Sequence, residues 1–203
     1  MNPLFLDAQD SVNTRIIVAL DFNNENEVMN LVKHLDPSLC KLKIGKELFT
    51  SCGPKLVEKL AVSGYKIFLD LKFHDIPNTV YQACKAACNL GIWMINVHAS
   101  GGSTMLKAAK QAINECGNST LLTAVTVLTS LTQQDLAEVG IDADINTHIL
   151  KLARLSYTVG LDGIVCSARE SSLIKSATSE NFITVTPGIR LHSKTQDDQQ
   201  RTM

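Results

Sequence analysis

Tyr65-Lys66-Ile67-Phe68-Leu69-Asp70-Leu71-Lys72-Phe73-His74-Asp75-Ile76-Pro77-Asn78-Thr79 changes character at its middle. The first five residues form a largely apolar run, short enough to be a buried strand. Asp70, Lys72 and Asp75 then place three charges within six residues, signed minus, plus, minus, where that strand is expected to end. With the strand period of two carried through to Lys72, Asp70 and Lys72 point to one face. Asp75 lies beyond, where the chain turns towards Pro77. A carboxylate beside an ammonium at a strand terminus is costly to bury unless a substrate or a further charge completes the set. A surface ion pair in a loop is the ordinary alternative. The apolar run before it argues instead for a strand end emerging from a core, a candidate site for holding and moving a proton.

The same design recurs along the chain. Short apolar runs at residues 16–20, 40–44, 66–69, 93–97, 121–128, 163–166 and 182–186 read as strands, rich in the β-branched and aliphatic residues of parallel strands covered on both sides. Amphipathic stretches at 25–34, 47–60, 79–90, 103–115, 145–158 and 168–176 read as helices, punctuated by Gly53-Pro54, Gly64, Gly91, Gly117 and Gly160. Strict alternation implies a parallel sheet with right-handed crossovers, either a barrel or a doubly wound sheet. Asp21, Lys43, Asp70 with Lys72, Asn96 with His98, Thr129 with Ser130, and Arg190 all fall at or just past the C-terminal ends of different strands. A barrel gathers those ends around one mouth. No strand is followed by the G-x-G-x-x-G turn of a dinucleotide site. The expected fold is therefore an α/β TIM (β/α) barrel, with residues 1–203 as one domain.

Composition narrows the function classes. Charged residues make up 19% of the 203, below the usual quarter, which suits a fold with much buried strand. A net charge of −1 gives no support to bulk binding of nucleic acid. The six cysteines, Cys40, Cys52, Cys84, Cys88, Cys116 and Cys166, form no C-x-x-C pair and read as reduced thiols of a cytoplasmic protein. Residues 1–13 lack the basic start and apolar centre of a signal peptide, and no apolar run approaches the ~20 residues that span a bilayer.

The assembled motifs resemble the orotidine 5′-phosphate decarboxylase family in its bacterial form. They are Val18-Ala19-Leu20-Asp21, Leu42-Lys43-Ile44-Gly45-Lys46-Glu47, the Asp70 to Thr79 segment, Asn96-Val97-His98-Ala99-Ser100-Gly101-Gly102, Ala124-Val125-Thr126-Val127-Leu128-Thr129-Ser130, and Val185-Thr186-Pro187-Gly188-Ile189-Arg190. A bare D-x-K-x-x-D is shared with a sister group of barrel enzymes; all the motifs in this order are highly specific. The resemblance implies loss of CO₂ from orotidine 5′-monophosphate to give UMP in pyrimidine synthesis, with no metal and no organic cofactor. It implies that Lys72 faces and protonates a carbanion at C6. Asp70 lies beside the departing carboxylate, and Lys43 and Asp75 complete a row of alternating charge. It further implies a homodimer, with Asp75 and Thr79 reaching into the neighbouring subunit's site. Asp21 and Lys43 hold ribose hydroxyls, Thr129 and Ser130 read the base, and Arg190 and Gln199 close over the phosphate.

Plainer roles stand beside these. Asp21 has the chemistry of a helix cap, although ribose binding is preferred. Asn96 and His98 are expected only to satisfy backbone groups at the rim, and Lys46 to be structural or solvated. Family members continue with an eighth strand ending in a phosphate-binding Gly-Arg pair, so the barrel is expected to lack its eighth βα unit here. Were the 203 residues the whole natural product, unpaired edges, weak stability and severely reduced activity would be expected. The competing readings are a non-catalytic nucleotide-binding remnant and a metal-dependent sugar-phosphate decarboxylase on the same scaffold.

Overall fold

The computed structural model describes residues 14–117 and 119–189. These form two compact units, one of residues up to Asp70 with Leu90–Ile92, the other of Leu71–Asn89 and the residues from Trp93 onward. In the first, β1 (Ile17–Ala19) leads to α1 (Glu25–Val32), β2 (Lys41–Gly45), α2 (Lys46–Cys52), α3 (Pro54–Val62) and β3 (Ile67–Phe73), whose last three residues belong to the second unit. The strands are parallel, with Val18 opposite Leu42 and Gly45 opposite Asp70. Leu42, Ile44, Val57, Leu60 and Ile67 are fully buried, so both helices and strands contribute to one apolar core.

The second unit contains α4 (Pro77–Cys88), β4 (Met94–His98), α5 (Gly102–Glu115), β5 (Leu121–Val125), α6 (Gln133–Glu138), α7 (Ile145–Val159), β6 (Gly163–Val165), α8 (Ser171–Ala177) and β7 (Ile183–Val185). Its strands are parallel and adjacent in chain order from β4 to β7. The alternating α/β class read from the sequence holds in both units.

Local chemistry explains where the expected boundaries moved. The helix expected over 47–60 is two helices, because Gly53 takes φ +68, a left-handed conformation glycine enters without a Cβ penalty, and Pro54 starts the next helix. The strand expected over 121–128 ends at Val125, so Thr129 and Ser130 lie in a turn beyond it rather than at a strand end. A helix absent from the sequence reading, α6, is opened by a capping box. The Thr132 side chain accepts from the Asp135 amide while the Asp135 carboxylate accepts from the Thr132 amide. No disulfide joins the cysteines; burial pushes the Cys84 and Cys88 thiols up to about 12. Among the described residues no helix is long and apolar enough to cross a membrane.

Gly163 sets the closeness of β6 to β7. A Cβ there would meet the Ile183 carbonyl oxygen at 2.4 Å and the Ile183 Cβ at 2.6 Å. Neither neighbour is the loose end of a flexible side chain, so a methyl group forces the strands apart. Gly163→Ala is expected to lower the free energy of unfolding by about 1–3 kcal/mol, the usual range for overpacking. Urea denaturation of the two proteins measures it, and an unchanged midpoint would contradict it.

Candidate active site

Three expected site residues come together in the first unit. Lys43 occupies the centre of β2 between the fully buried Leu42 and Ile44. Its Nζ lies 3.6 Å from an Asp70 carboxylate oxygen and 3.4 Å from Oδ1 of Asp21. The Lys43 and Asp70 side chains are 19% and 12% exposed, so their attraction is only partly screened by solvent; Asp21 is 73% exposed. Asp21 does not cap the following helix. That role falls to Asn24, whose Oδ1 accepts from the Glu27 amide at 3.0 Å. Asp21 is thus a solvent-facing carboxylate held by Lys43, with acceptor capacity for hydroxyl groups.

β3 carries the row onward. Ile67, Phe68 and Leu69 are at most 1% exposed, and Asp70 follows at 8%, so the strand delivers its carboxylate from a core. The strand continues to Phe73, past Asp70 and Lys72, further than the expected end at residue 69. Lys72 breaks its regularity, with φ +53, the one non-glycine positive φ among the described residues. The period of two therefore does not fix the direction of the Lys72 side chain. A residue bearing a Cβ is disfavoured there by roughly 1–2 kcal/mol. The Lys72 amide donates to Oδ1 of Asn96 on β4 at 2.8 Å, so the Lys72 amide is a backbone group that Asn96 satisfies.

The remaining residues are placed differently. Asp75 is exposed, and its Oδ1 accepts from the Ile76 amide at 2.6 Å, bending the chain into α4. Thr79 is exposed in the first turn of that helix, close in sequence to Ile76, an apolar side chain 67% exposed. His98 at the end of β4 lies against His74, ring centroids 5.4 Å apart. Lys46 is exposed at the start of α2, as expected. Thr129 is half-buried and Ser130 exposed. Arg190 and Gln199 lie outside the described residues.

The sequence profile of the orotidine 5′-phosphate decarboxylase / HUMPS family matches residues 14–203. The chain belongs to this family. It is 53% identical over 203 residues to the orotidine 5′-phosphate decarboxylase of Chromobacterium violaceum, covering 100% of this chain and 82% of that protein. It is 50% identical over 205 residues to that of Neisseria meningitidis serogroup A, covering 100% and 83%. The crystal structure of orotidine 5′-phosphate decarboxylase from Lactobacillus acidophilus superposes with a TM-score of 0.81 at 40% identity, over 86% of this chain and 81% of that one. Family membership and the Asp21–Lys43–Asp70 cluster rest on independent grounds, one on similarity and the other on geometry.

Removing one charge from a mostly buried pair costs more than removing both. Lys43→Met is expected to destabilise the protein by about 1–3 kcal/mol, since it strips a cation from a largely desolvated carboxylate. Adding Asp70→Leu is expected to recover part of that loss. Urea melts of the four proteins of the cycle measure the coupling, and losses that merely add would contradict it.

Proposed function

We propose that this member of the family converts orotidine 5′-monophosphate to UMP and CO₂ on a single (β/α) barrel domain. The observation that carries the reading is the ion-paired cluster of Asp21, Lys43 and Asp70, followed two residues later by a lysine in a left-handed conformation. The chemical problem is a carbanion at C6 of the pyrimidine, with no adjacent carbonyl placed to take up the charge. Breaking the bond between C6 and the carboxylate carbon leaves its electron pair on C6. A fixed ammonium stabilises that pair as it develops, an effect set by preorganisation rather than by motion at the moment of reaction. The Lys72 ammonium takes this role, then transfers a proton from Nζ to C6 and regains one from solvent. Asp70 stands beside the departing carboxylate, where like charge disfavours the ground state. Lys43 holds Asp70 in place and, with Asp21, takes the ribose hydroxyls.

The same reading assigns Asp75 and Thr79 to the site of a second copy of the chain. Their exposure beside the exposed Ile76, at the start of α4, supports a symmetric dimer sharing its sites across the interface. Thr129 and Ser130 take the base, and Arg190 and Gln199 the phosphate. Neither a metal nor an organic cofactor takes part, and the enzyme works in the cytoplasm.

Lys72→Ala removes both the stabilising charge and the proton donor, so turnover is expected to fall by at least about 10³-fold. The measurement is the loss of orotidine 5′-monophosphate absorbance, with EDTA present throughout. Turnover that requires magnesium would instead favour the sugar-phosphate decarboxylase reading. UMP binding by a folded protein without decarboxylation would favour a nucleotide-binding remnant.

A further inference from the structure

Asn96 is an amide in an apolar strand. Its β4 neighbours Met94, Ile95 and Val97 are 0% exposed, and so is Asn96 itself. A buried amide is unfavourable unless its polar atoms are bonded, and an aliphatic residue would pack at this position without that requirement. The Asn96 Oδ1 accepts at 2.8 Å from the backbone amide of Lys72. Lys72 is the residue whose φ is +53. These two exceptions, a buried polar side chain in a core strand and a left-handed lysine, are joined by one hydrogen bond.

We propose that Asn96 is a positioning residue for the decarboxylation: by holding the Lys72 amide it fixes φ of Lys72 in the left-handed region and so sets the direction in which the ammonium leaves the strand. The bond acts at the atom that defines φ. With the chain beyond Lys72 held in place, a return of φ to the extended region turns the Leu71–Lys72 peptide plane and swings its amide hydrogen away from Oδ1, so the bond resists the relaxation that the Cβ favours. The direction of the Cα–Cβ bond follows from φ, and the long lysine side chain magnifies any change in it at Nζ. Asn96 needs no contact with substrate to do this; it acts through Lys72. The inference rests on the decarboxylase reading for its consequence in rate, and on the backbone geometry alone for its mechanism.

Packing and acceptor roles make opposite predictions for two variants of similar size. Asn96→Leu keeps the bulk and suits the apolar surroundings but has no acceptor. Asn96→Asp keeps an oxygen where Oδ1 stands but brings a charge into the core. If Asn96 positions Lys72, Asn96→Leu is expected to lower kcat by about 10²-fold, the usual effect of misplacing a reacting group by roughly an ångström. Its KM is expected to stay within about threefold, because ground-state contacts are untouched. Asn96→Asp is expected to keep the higher kcat of the two despite the lower melting temperature. Wild-type kcat in Asn96→Leu overturns the proposal, as does a kcat order that follows melting temperature.

A second measurement is independent of activity. At positive φ the amide hydrogen and Hα of a residue come close, so the Lys72 intraresidue cross-peak is strong in the nuclear Overhauser spectrum. It is expected to be strong in the wild-type chain and in Asn96→Asp, and to weaken in Asn96→Leu. An unchanged peak in Asn96→Leu overturns the proposal whatever the kinetics. A weakened peak together with a wild-type chain that does not decarboxylate supports the positional link and overturns the decarboxylase reading.

Discussion

The pairing of Lys43 with Asp70 is the constraint on which the first part of the site depends. Both residues sit on parallel strands, Lys43 between the fully buried Leu42 and Ile44 and Asp70 directly after the fully buried Leu69, so neither side chain has ready access to full hydration. A lone charge at either place would be costly, and two together are tolerable because each screens the other. The price of this arrangement is stability that an apolar pair would supply without effort. The return is a carboxylate of defined position with a cation on one side, and Asp21 extends the row towards solvent through the same Lys43.

Much of the architecture was legible because both faces of the parallel strands are covered. Such strands must be short, aliphatic and bounded by breakers, and β1, β2, β4, β6 and β7 fall within one or two residues of the expected runs. The exceptions have physical causes. The apolar run through Leu128 looks like strand throughout, but apolar residues also fill the turn that follows, where Val127 is buried outside any strand. The apolar run of β3 ends at its first charge, yet the backbone ladder is indifferent to side-chain charge, and the strand continues to Phe73. The short α6 is too polar to show periodicity; its signal is the spacing of Thr132 and Asp135.

The site divides in the same way. Asp21, Lys43 and Asp70 were found because charged residues at the ends of apolar strands are conspicuous, and the structure places them within ion-pair distance. Residue type alone does not separate Asp21 from Asn24 as the helix cap, since Asn24 offers the same chemistry three residues later and is the one that accepts from the Glu27 amide. A polar residue in an apolar strand points to a satisfied backbone group, and Asn96 does satisfy one. Which group it satisfies is a matter of tertiary register between strands far apart in sequence, and no spacing within one strand reveals it. The left-handed φ of Lys72 is likewise silent in the sequence, because nothing in its residue type announces a conformation that lysine disfavours.

That silence has a consequence for how the lysine is held. A left-handed conformation costs a residue with a Cβ roughly 1–2 kcal/mol. The hydrogen bond from the Lys72 amide to Asn96 contributes about 0.5–1.5 kcal/mol net. The two are comparable, so the bond alone does not make the conformation safe; it must be offered by an acceptor that cannot move away. β4 provides that rigidity, since the residues flanking Asn96 are fully buried and the strand is paired with β5 along its whole length. Strain of this kind persists only where the surroundings over-determine it. Among the described non-glycine residues it occurs at Lys72 and at no other, in the residue to which the proposed reaction assigns the ammonium, so on that proposal the stiffness of an apolar strand is converted into the direction of a charge.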